Sequence, residues 1–183
     1  MIILVDVDGV VADLHTEWLR RYNLDYDTDL GKEDISSWSM HKLVVPECGT
    51  KIYDYLKLPE IYDLVQPIEG ALDGIKSIRK MGHRVVYLSA GFYPAKVRWL
   101  NYNGFLSGRT SNWASAEDVI IAFDKSLIKG DVLIDDRLKN VDEFHGPAIL
   151  FDQPWNQEGR NGRVWRAMDW EGVVKKIERM GHD

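Results

Sequence analysis

The feature that most constrains this chain is a short apolar run that ends in two carboxylates. Ile2–Val5 reads I-I-L-V, which is typical of a buried strand, and Asp6, Asp8 and Gly9 follow at once. Two carboxylates at the end of a buried strand lose hydration and repel each other, so a compensating cation is expected beside them. Mg²⁺ with a phosphate-bearing ligand would meet this need. The plain alternative is a strand that runs into an Asp-Gly turn.

Further apolar segments alternate with helical patterns along the rest of the chain. The predicted strands are 84–88, 119–123, 132–134 and 148–151, and the predicted helices are 14–23, 71–81, 94–103 and 170–180. This alternation predicts an α/β fold with a mainly parallel sheet and helices on both faces. In such sheets a ligand site lies at the carboxyl ends of the strands.

Polar side chains follow three of these predicted strands directly. Ser89 follows the second strand, Lys125 the third, and Asp135 and Asp136 the fourth. Because the carboxyl ends of parallel strands meet at one edge of a sheet, we expect these residues beside the first two carboxylates. Each has an ordinary reading when taken alone, as a turn, a surface lysine or a polar turn with an ion pair.

The ordered set of motifs resembles the haloacid dehalogenase (HAD) superfamily of phosphohydrolases. D-V-D-G-V-V-A-D, F-D-K-S, D-V-L-I-D-D-R and A-I-L-F-D-Q-P-W-N look like segments of its 5'(3')-deoxyribonucleotidase family, including bacterial and phage members. The resemblance implies a three-layer, HAD-like Rossmannoid core made of residues 1–13 and 67–183. It also implies a small helical cap, residues 14–66, inserted after the first strand. The resemblance is strong in the motifs and weak within the cap.

The resemblance and the chemistry of phosphate esters together suggest roles for the carboxylates. Asp6 is the expected nucleophile, which forms an aspartyl-phosphate, and Asp8 is the expected general acid and base. Mg²⁺ is expected on a carboxylate oxygen of Asp6, the backbone carbonyl of Asp8 and one carboxylate of the Asp135–Asp136 pair. The family pattern favours Asp136 as the ligand and leaves Asp135 as support or as the alternative ligand.

The expected phosphate contacts come from two loops and one helix. Ser89 and the backbone at Ala90 resemble the family's phosphate loop, although Ala90 stands where the family usually has a second hydroxyl. Lys125 matches a lysine that neutralises phosphate and orients the nucleophile. Lys96 matches a family lysine near the phosphate, and its alternative reading is a solvated helix residue.

The segment from 24 to 66 is too long for a simple loop and contains many aromatic residues. Aromatic cap residues stack on the nucleobase in the resembled family, so Trp38 is a candidate for that contact or for the core of the cap. Leu14 stands where the family has an apolar substrate contact. The segment 151–156 is expected to support the site, with substrate contact as the alternative.

Charge and composition limit the partners of the chain. A formal charge of −6 over 183 residues argues against a nucleic-acid polymer, and no apolar run approaches the length of a membrane span. Cys48 is the only cysteine, which excludes an intrachain disulfide and suits a cytoplasmic protein. We expect a small nucleotide substrate, and a homodimer remains open. The five histidines do not cluster at metal-ligand spacing, so we expect them at surface or capping positions.

Three functions are compatible with these observations. The first is a Mg²⁺-dependent phosphomonoesterase that acts on deoxyribonucleoside or ribonucleoside monophosphates through an aspartyl-phosphate. The second is a sugar-phosphate or other small-metabolite phosphatase of the same superfamily, a choice that depends on the cap. The third is a phosphoacceptor module resembling response-regulator receivers. The late position of the Asp135–Asp136 pair and the long insertion after the first strand both count against this third function.

Overall fold

The sheet has six parallel strands, and the first strand of the chain lies inside it. The computed structural model describes residues 1–91, 93–106, 118–157 and 164–181. The strands are β1 (Ile2–Val5), β2 (Arg84–Ser89), β3 (Val119–Ile121), β4 (Val132–Asp135), β5 (Ala148–Phe151) and β6 (Val164–Ala167). Their order across the sheet is β3-β2-β1-β4-β5-β6, and every adjacent pair is parallel. The predicted α/β class with a mainly parallel sheet is confirmed.

Helices cover both faces of this sheet. The α-helices are α1 (Leu14–Tyr26), α2 (Ala71–Lys80), α3 (Tyr93–Tyr102), α4 (Leu138–Glu143) and α5 (Trp170–Met180). Successive strand residues point to opposite faces, so Ile3 and Val5 join a buried cluster with residues of α2, α3 and α5. Leu4 joins a second cluster that includes Val141 of α4. The result is three layers.

The register brings the strand ends that carry the predicted site residues together. Val5, the last residue of β1, pairs with Tyr87 of β2 and with Ile134 of β4. The backbone N–H of Asp6 continues this ladder by donating to the carbonyl of Ile134 at 2.9 Å. The residues that follow β1, β2 and β4 therefore emerge side by side at one edge of the sheet.

The segment 14–66 is built from α1 and short 3₁₀ turns. These turns are Lys32–Asp34, Met40–Lys42, Gly49–Lys57 and Pro59–Tyr62. Most of its buried side chains, between Trp18 and Ile52, form a cluster of their own that also takes in Trp155. Four other residues instead join the large cluster on one face of the sheet, namely Leu14, Ile61, Tyr62 and Val65. The insertion thus has its own small core and is attached to the sheet at both ends.

Two elements were not predicted from the sequence. Strand β6 reads V-W-R-A and has one buried residue, and α4 is six residues long with Val141 as its one buried residue. Both lack a run of apolar positions long enough to show a period. Helix α1 extends beyond its predicted end at Asn23 and ends where Asp27 adopts a left-handed conformation, with φ of 51°. Among the described residues, no helix is both long and apolar enough to cross a membrane.

Candidate active site

The loop after β1 turns back tightly and presents two carboxylates. The N–H groups of Val11 and Ala12 both donate to the carbonyl of Val7, at 3.0 and 2.8 Å, which closes the turn. Gly9 lies within it at φ of +74°, and a Cβ there would sit 2.2 Å from Oδ2 of Asp136. Glycine is required at this position for two reasons: the positive φ and the close approach of a carboxylate.

A buried lysine links the first carboxylate to the fourth strand. Lys125 lies in a 3₁₀ turn after β3, and its Nζ is 2.9 Å from Oδ1 of Asp6 and 2.6 Å from Oδ2 of Asp135. Oδ1 of Asp6 also accepts the N–H of Val7 at 2.7 Å. The two carboxylates raise the pKa of Lys125, so the lysine stays charged despite its burial. This contact fixes the orientation of the Asp6 carboxylate.

The two carboxylates at the end of β4, Asp135 and Asp136, have different surroundings. Asp135 accepts hydrogen bonds from Lys125, from the N–H of Arg137 at 2.8 Å and from the side chain of Asn140 at 3.1 Å. Asp136 is fully buried, and its Oδ1 has no hydrogen-bond partner within the described part of the chain. Burial, together with the negative charges of Asp135 and Asp6, raises the pKa of Asp136 well above its usual value. Asp136 therefore has a free carboxyl oxygen that is open to a cation.

Three carboxylates in this region fit a divalent cation. One ligand oxygen from each of Asp6, Asp135 and Asp136 can be chosen so that all lie within 4.8 Å of one another, and all three residues are buried. Carboxylate oxygens are ligands that hard divalent ions prefer. Both oxygens of Asp135 already accept the hydrogen bonds described above, so Asp6 and Asp136 suit a cation better than Asp135 does. A cation and a proton compete for the Asp136 carboxyl, and its raised pKa favours the proton, so cation binding should strengthen as pH rises.

The segment after β5 holds Asp136 in place. Trp155 Nε1 donates to Oδ2 of Asp136 at 2.9 Å, and Asn156 Nδ2 donates to the backbone carbonyl of Asp136 at 2.7 Å. Gln153 Nε2 donates to the carbonyl of Gly9 at 2.6 Å. Segment 151–156 therefore contacts both the turn after β1 and the carboxylate after β4. The contact through Trp155 was not predicted individually.

Three of the four predicted phosphate-binding residues meet beside Asp8, whereas Lys125 contacts Asp6. Lys96, on α3, is buried, and its Nζ donates to Oδ2 of Asp8, to the carbonyl of Ala90 and, at 2.8 Å, to Oγ of Ser89. A solvated helix lysine, the alternative reading, does not match this burial. The structure thus gathers Ser89, Ala90 and Lys96 around Asp8, at the carboxyl end of β2.

A tyrosine of segment 14–66 completes the surroundings of Asp8, and the sequence analysis did not assign it a role. Tyr62 is buried, and its hydroxyl donates to Oδ1 of Asp8. Burial and the negative charge of Asp8 raise the pKa of the phenol well above its usual value, so it remains a donor. Its aromatic character was the one signal in the sequence, and that signal does not distinguish a core residue from a site residue.

Two neighbouring cavities lie beside Trp38 and Trp155, and the larger one is also lined by Asp136. Their volumes are about 290 and 210 Å³, and Ser37, Trp38 and Trp155 line both of them. Trp38 is 44% exposed and packs against the guanidinium of Arg137, 4.9 Å from the ring centroid, so it lies at the cavities rather than inside the small core. Leu14 lies in the main buried cluster and lines neither cavity.

His15 is not at the surface, and its expected surface or capping position was wrong. Its ring is buried and stacks on Trp155 with 3.9 Å between centroids, and it lines the smaller cavity. Burial, reinforced by the charge of Lys32, lowers the pKa of His15 to about 3. Helical spacing to Trp18 and Leu19 places His15 on the apolar face of α1, but that face does not by itself predict a buried imidazole. His182 lies outside the described residues.

Comparison with known proteins agrees with the motifs. Residues 1–180 match the family described as "5' nucleotidase, deoxy (Pyrimidine), cytosolic type C protein". The chain belongs to this family. It is therefore a phosphoric monoester hydrolase, and the resemblance inferred from its motifs is confirmed.

Individual relatives in this family cover nearly the whole chain. A 5'(3')-deoxyribonucleotidase of Clostridium acetobutylicum is 35% identical over 172 residues, which cover 91% of this chain and 88% of that protein. A 5'(3')-deoxyribonucleotidase of Bacillus subtilis is 30% identical over 181 residues, which cover 96% of this chain and 98% of that protein.

Solved structures show the same fold. A HAD hydrolase of Bacillus subtilis, described as bound to magnesium, superposes with a TM-score of 0.61 at 13% identity and covers 96% of this chain and 97% of that one. At that level of identity the likeness concerns the fold alone. The HAD-like core expected from the motifs is confirmed.

Proposed function

We propose that this protein is a Mg²⁺-dependent phosphatase that hydrolyses deoxyribonucleoside or ribonucleoside monophosphates through an aspartyl-phosphate on Asp6. The observation that carries the proposal is the pair of buried contacts around Asp6. Lys125 and the N–H of Val7 both hold Oδ1 of Asp6, which leaves Oδ2 of this carboxylate for attack on phosphorus. Asp8 lies two residues further on, among the phosphate-binding groups.

The metal in this proposal is held by the chain's own oxygens. Asp6 and Asp136 would supply carboxylates, and Asp8 would supply its backbone carbonyl, with Asp135 as support. When bound, Mg²⁺ supplies positive charge that offsets the repulsion between an anionic nucleophile and an anionic phosphate. Because hard divalent ions prefer oxygen, the donor set suits Mg²⁺ and excludes a thiolate site.

The first chemical step transfers the phosphoryl group to the protein. A carboxylate oxygen of Asp6 forms a bond to phosphorus while the bond from phosphorus to the ester oxygen breaks. Asp8 gives its proton to that departing oxygen, so the nucleoside leaves as a neutral alcohol. Lys125, Lys96 and Ser89 hold the phosphoryl oxygens and offset their charge.

The second step returns the enzyme to its starting state. Asp8, now a carboxylate, takes a proton from water as the water oxygen attacks phosphorus. The bond between phosphorus and Asp6 breaks, and inorganic phosphate leaves. The proton then on Asp8 serves the next cycle.

Residues 14–66 are the proposed cap, and they select the substrate. The relatives named above are deoxyribonucleotidases. The rings of Trp38 and Trp155 line a cavity that Asp136 also borders, where a base could stack on them. The second candidate is a sugar-phosphate or small-metabolite phosphatase. It is favoured if Trp38→Ala leaves the KM for nucleotides unchanged, because a sugar phosphate needs no ring to stack on.

The test is phosphate release from a panel of nucleoside monophosphates, sugar phosphates and an aryl phosphate, with and without Mg²⁺. We expect selective release from deoxyribonucleoside monophosphates, lost on chelation. Asp6→Asn should lower turnover by about a thousandfold or more while leaving the fold intact. Asp13→Asn is the matched control, because Asp13 ends the same loop and its carboxylate contacts Thr16 and Lys32 instead. Full activity of Asp6→Asn, or release from sugar phosphates alone, would contradict the proposal.

A further inference from the structure

One side chain of the 14–66 segment reaches the proposed acid and base directly. Tyr62 ends the 3₁₀ turn Pro59–Tyr62, is 5% exposed, and donates its hydroxyl to Oδ1 of Asp8 across 54 positions of sequence. The relatives' names and the family description assign it no role. A tyrosine hydroxyl on the one carboxylate that must both give and take a proton calls for an explanation other than packing.

The turn that carries Tyr62 is anchored from two sides. Arg21 of α1 donates to the carbonyl of Glu60 at 2.6 Å, and Arg98 of α3 donates to the carbonyl of Pro59 at 3.2 Å. The Tyr62 ring also packs near Trp99, with 6.3 Å between ring centroids. The hydroxyl is therefore held on a fixed backbone, which is what a positioning contact requires.

The two oxygens of Asp8 face different groups. Oδ1 accepts from Tyr62, whereas Oδ2 accepts from Lys96, whose Nζ also contacts Oγ of Ser89 at 2.8 Å. Oδ2 therefore lies on the side of the phosphate-binding groups. A carboxyl that protonates a leaving oxygen must present its protonated oxygen on that same side.

We propose that Tyr62 is a positioning residue that holds Oδ1 of Asp8 so that Oδ2 faces the ester oxygen of the bound nucleotide. This role rests on the proposed function of Asp8 as general acid. It connects the cap segment to the proton-transfer step, because the same segment that selects the substrate also orients the acid. Without the hydroxyl, the Asp8 carboxyl can rotate about its Cβ–Cγ bond, and its proton is aligned with the leaving oxygen for less of the time.

The experiment compares two substrates whose leaving groups differ in their need for a proton. A nucleoside monophosphate releases an alkoxide that requires protonation, whereas p-nitrophenyl phosphate releases a stable phenolate that does not. We expect Tyr62→Phe to lower kcat/KM by about tenfold to a hundredfold on the nucleotide and by less than about threefold on the aryl phosphate. Replacing Tyr62 with 4-aminophenylalanine, which keeps a donor at the ring's para position, should restore part of the loss on the nucleotide.

Tyr55→Phe is the matched control. Tyr55 lies in the same segment and also donates its hydroxyl to a carboxylate, that of Asp25, away from the strand ends. Tyr55→Phe should leave kcat/KM unchanged on both substrates. The melting temperatures of the two variants show whether either change disturbs the fold. If Tyr62→Phe lowered kcat/KM equally on the two substrates, or on neither, the role of Tyr62 would be overturned and the proposed function would not. A wild-type protein that does not hydrolyse nucleotides would overturn the proposed function first, before any variant is compared.

Discussion

The contact between Trp155 and Asp136 leads to a prediction about metal affinity. The indole N–H lies 2.9 Å from Oδ2 of Asp136 and leaves Oδ1 as the oxygen without a partner in the described chain. In this arrangement Trp155 determines which oxygen of Asp136 is free for the cation. Trp155→Phe keeps an aromatic ring at the position but removes the donor.

The expected magnitude follows from the kind of contact that is lost. Partners that orient a metal ligand typically contribute tenfold to a hundredfold in metal affinity, so Trp155→Phe should weaken Mg²⁺ binding by about 1.4 to 2.8 kcal/mol. The metal-free protein should lose about 1 to 3 kcal/mol of stability, because a buried carboxyl oxygen loses its hydrogen bond. Turnover at saturating Mg²⁺ should stay within about tenfold of wild type, since Asp6, Asp8 and Lys125 are unchanged.

The assay is direct metal binding, by calorimetry with Mg²⁺ or by Mn²⁺ electron paramagnetic resonance. Trp99→Phe is the matched control, because the Trp99 N–H is also buried and also 2.9 Å from its acceptor, the backbone carbonyl of Val65. It should lose stability without losing metal affinity. An unchanged dissociation constant in Trp155→Phe, or an equal loss in the control, would refute the argument that this hydrogen bond orients the metal ligand.

Two further predictions concern buried ionisable groups. Lys125→Met leaves the carboxylates of Asp6 and Asp135 without their shared cation, so it should cost about 3 to 5 kcal/mol of stability and at least about a hundredfold in turnover. The control Lys175→Met, at the exposed surface of α5, should cost little. The pKa of His15 is lowered from 6.5 to about 3 in the folded protein, so the unfolded state alone takes up a proton between these values. Stability should therefore fall by up to a few kcal/mol as pH decreases through this window, and urea titrations should show a smaller fall in His15→Phe. The same pH dependence in both proteins would contradict the burial argument.

The strand ends could be predicted because their chemistry is local. The residues of the predicted site lie within three positions of the end of an apolar run: Asp6, Asp8, Ser89, Lys125, Asp135 and Asp136. A parallel sheet then brings such positions to one edge, independently of the conformation of the loops. The same rule needs no knowledge of how the helices pack.

The contacts of Tyr62 and Trp155 could not be predicted in this way. Tyr62 meets Asp8 across 54 positions of sequence, and Trp155 meets Asp136 across 19. Both contacts depend on the path of irregular segments, where no periodicity fixes the direction of a side chain. In such a segment, the sequence pattern around an aromatic residue is the same whether the residue packs in a core or donates to a carboxylate.

Burial of polar residues was also hidden from the sequence. His15 follows Leu14 on α1, where an apolar face predicts burial of some positions but not of an imidazole. The preference of histidine for surface positions is a tendency, and here stacking on Trp155 overrides it. Strand β6 was missed for a related reason: it is half exposed and contains Arg166, so its pattern is not that of a central strand.

The central claim is that Asp6 is a covalent nucleophile, and the stereochemistry at phosphorus tests it most directly. The substrate is a nucleoside phosphorothioate whose phosphorus is chiral because it bears sulfur, oxygen-16 and oxygen-18, and the wild-type enzyme hydrolyses it with Mg²⁺ in water labelled with oxygen-17. Two successive in-line displacements, first by Asp6 and then by water, predict retention of configuration in the released thiophosphate. Inversion would mean that water attacks the substrate directly, and it would contradict the account.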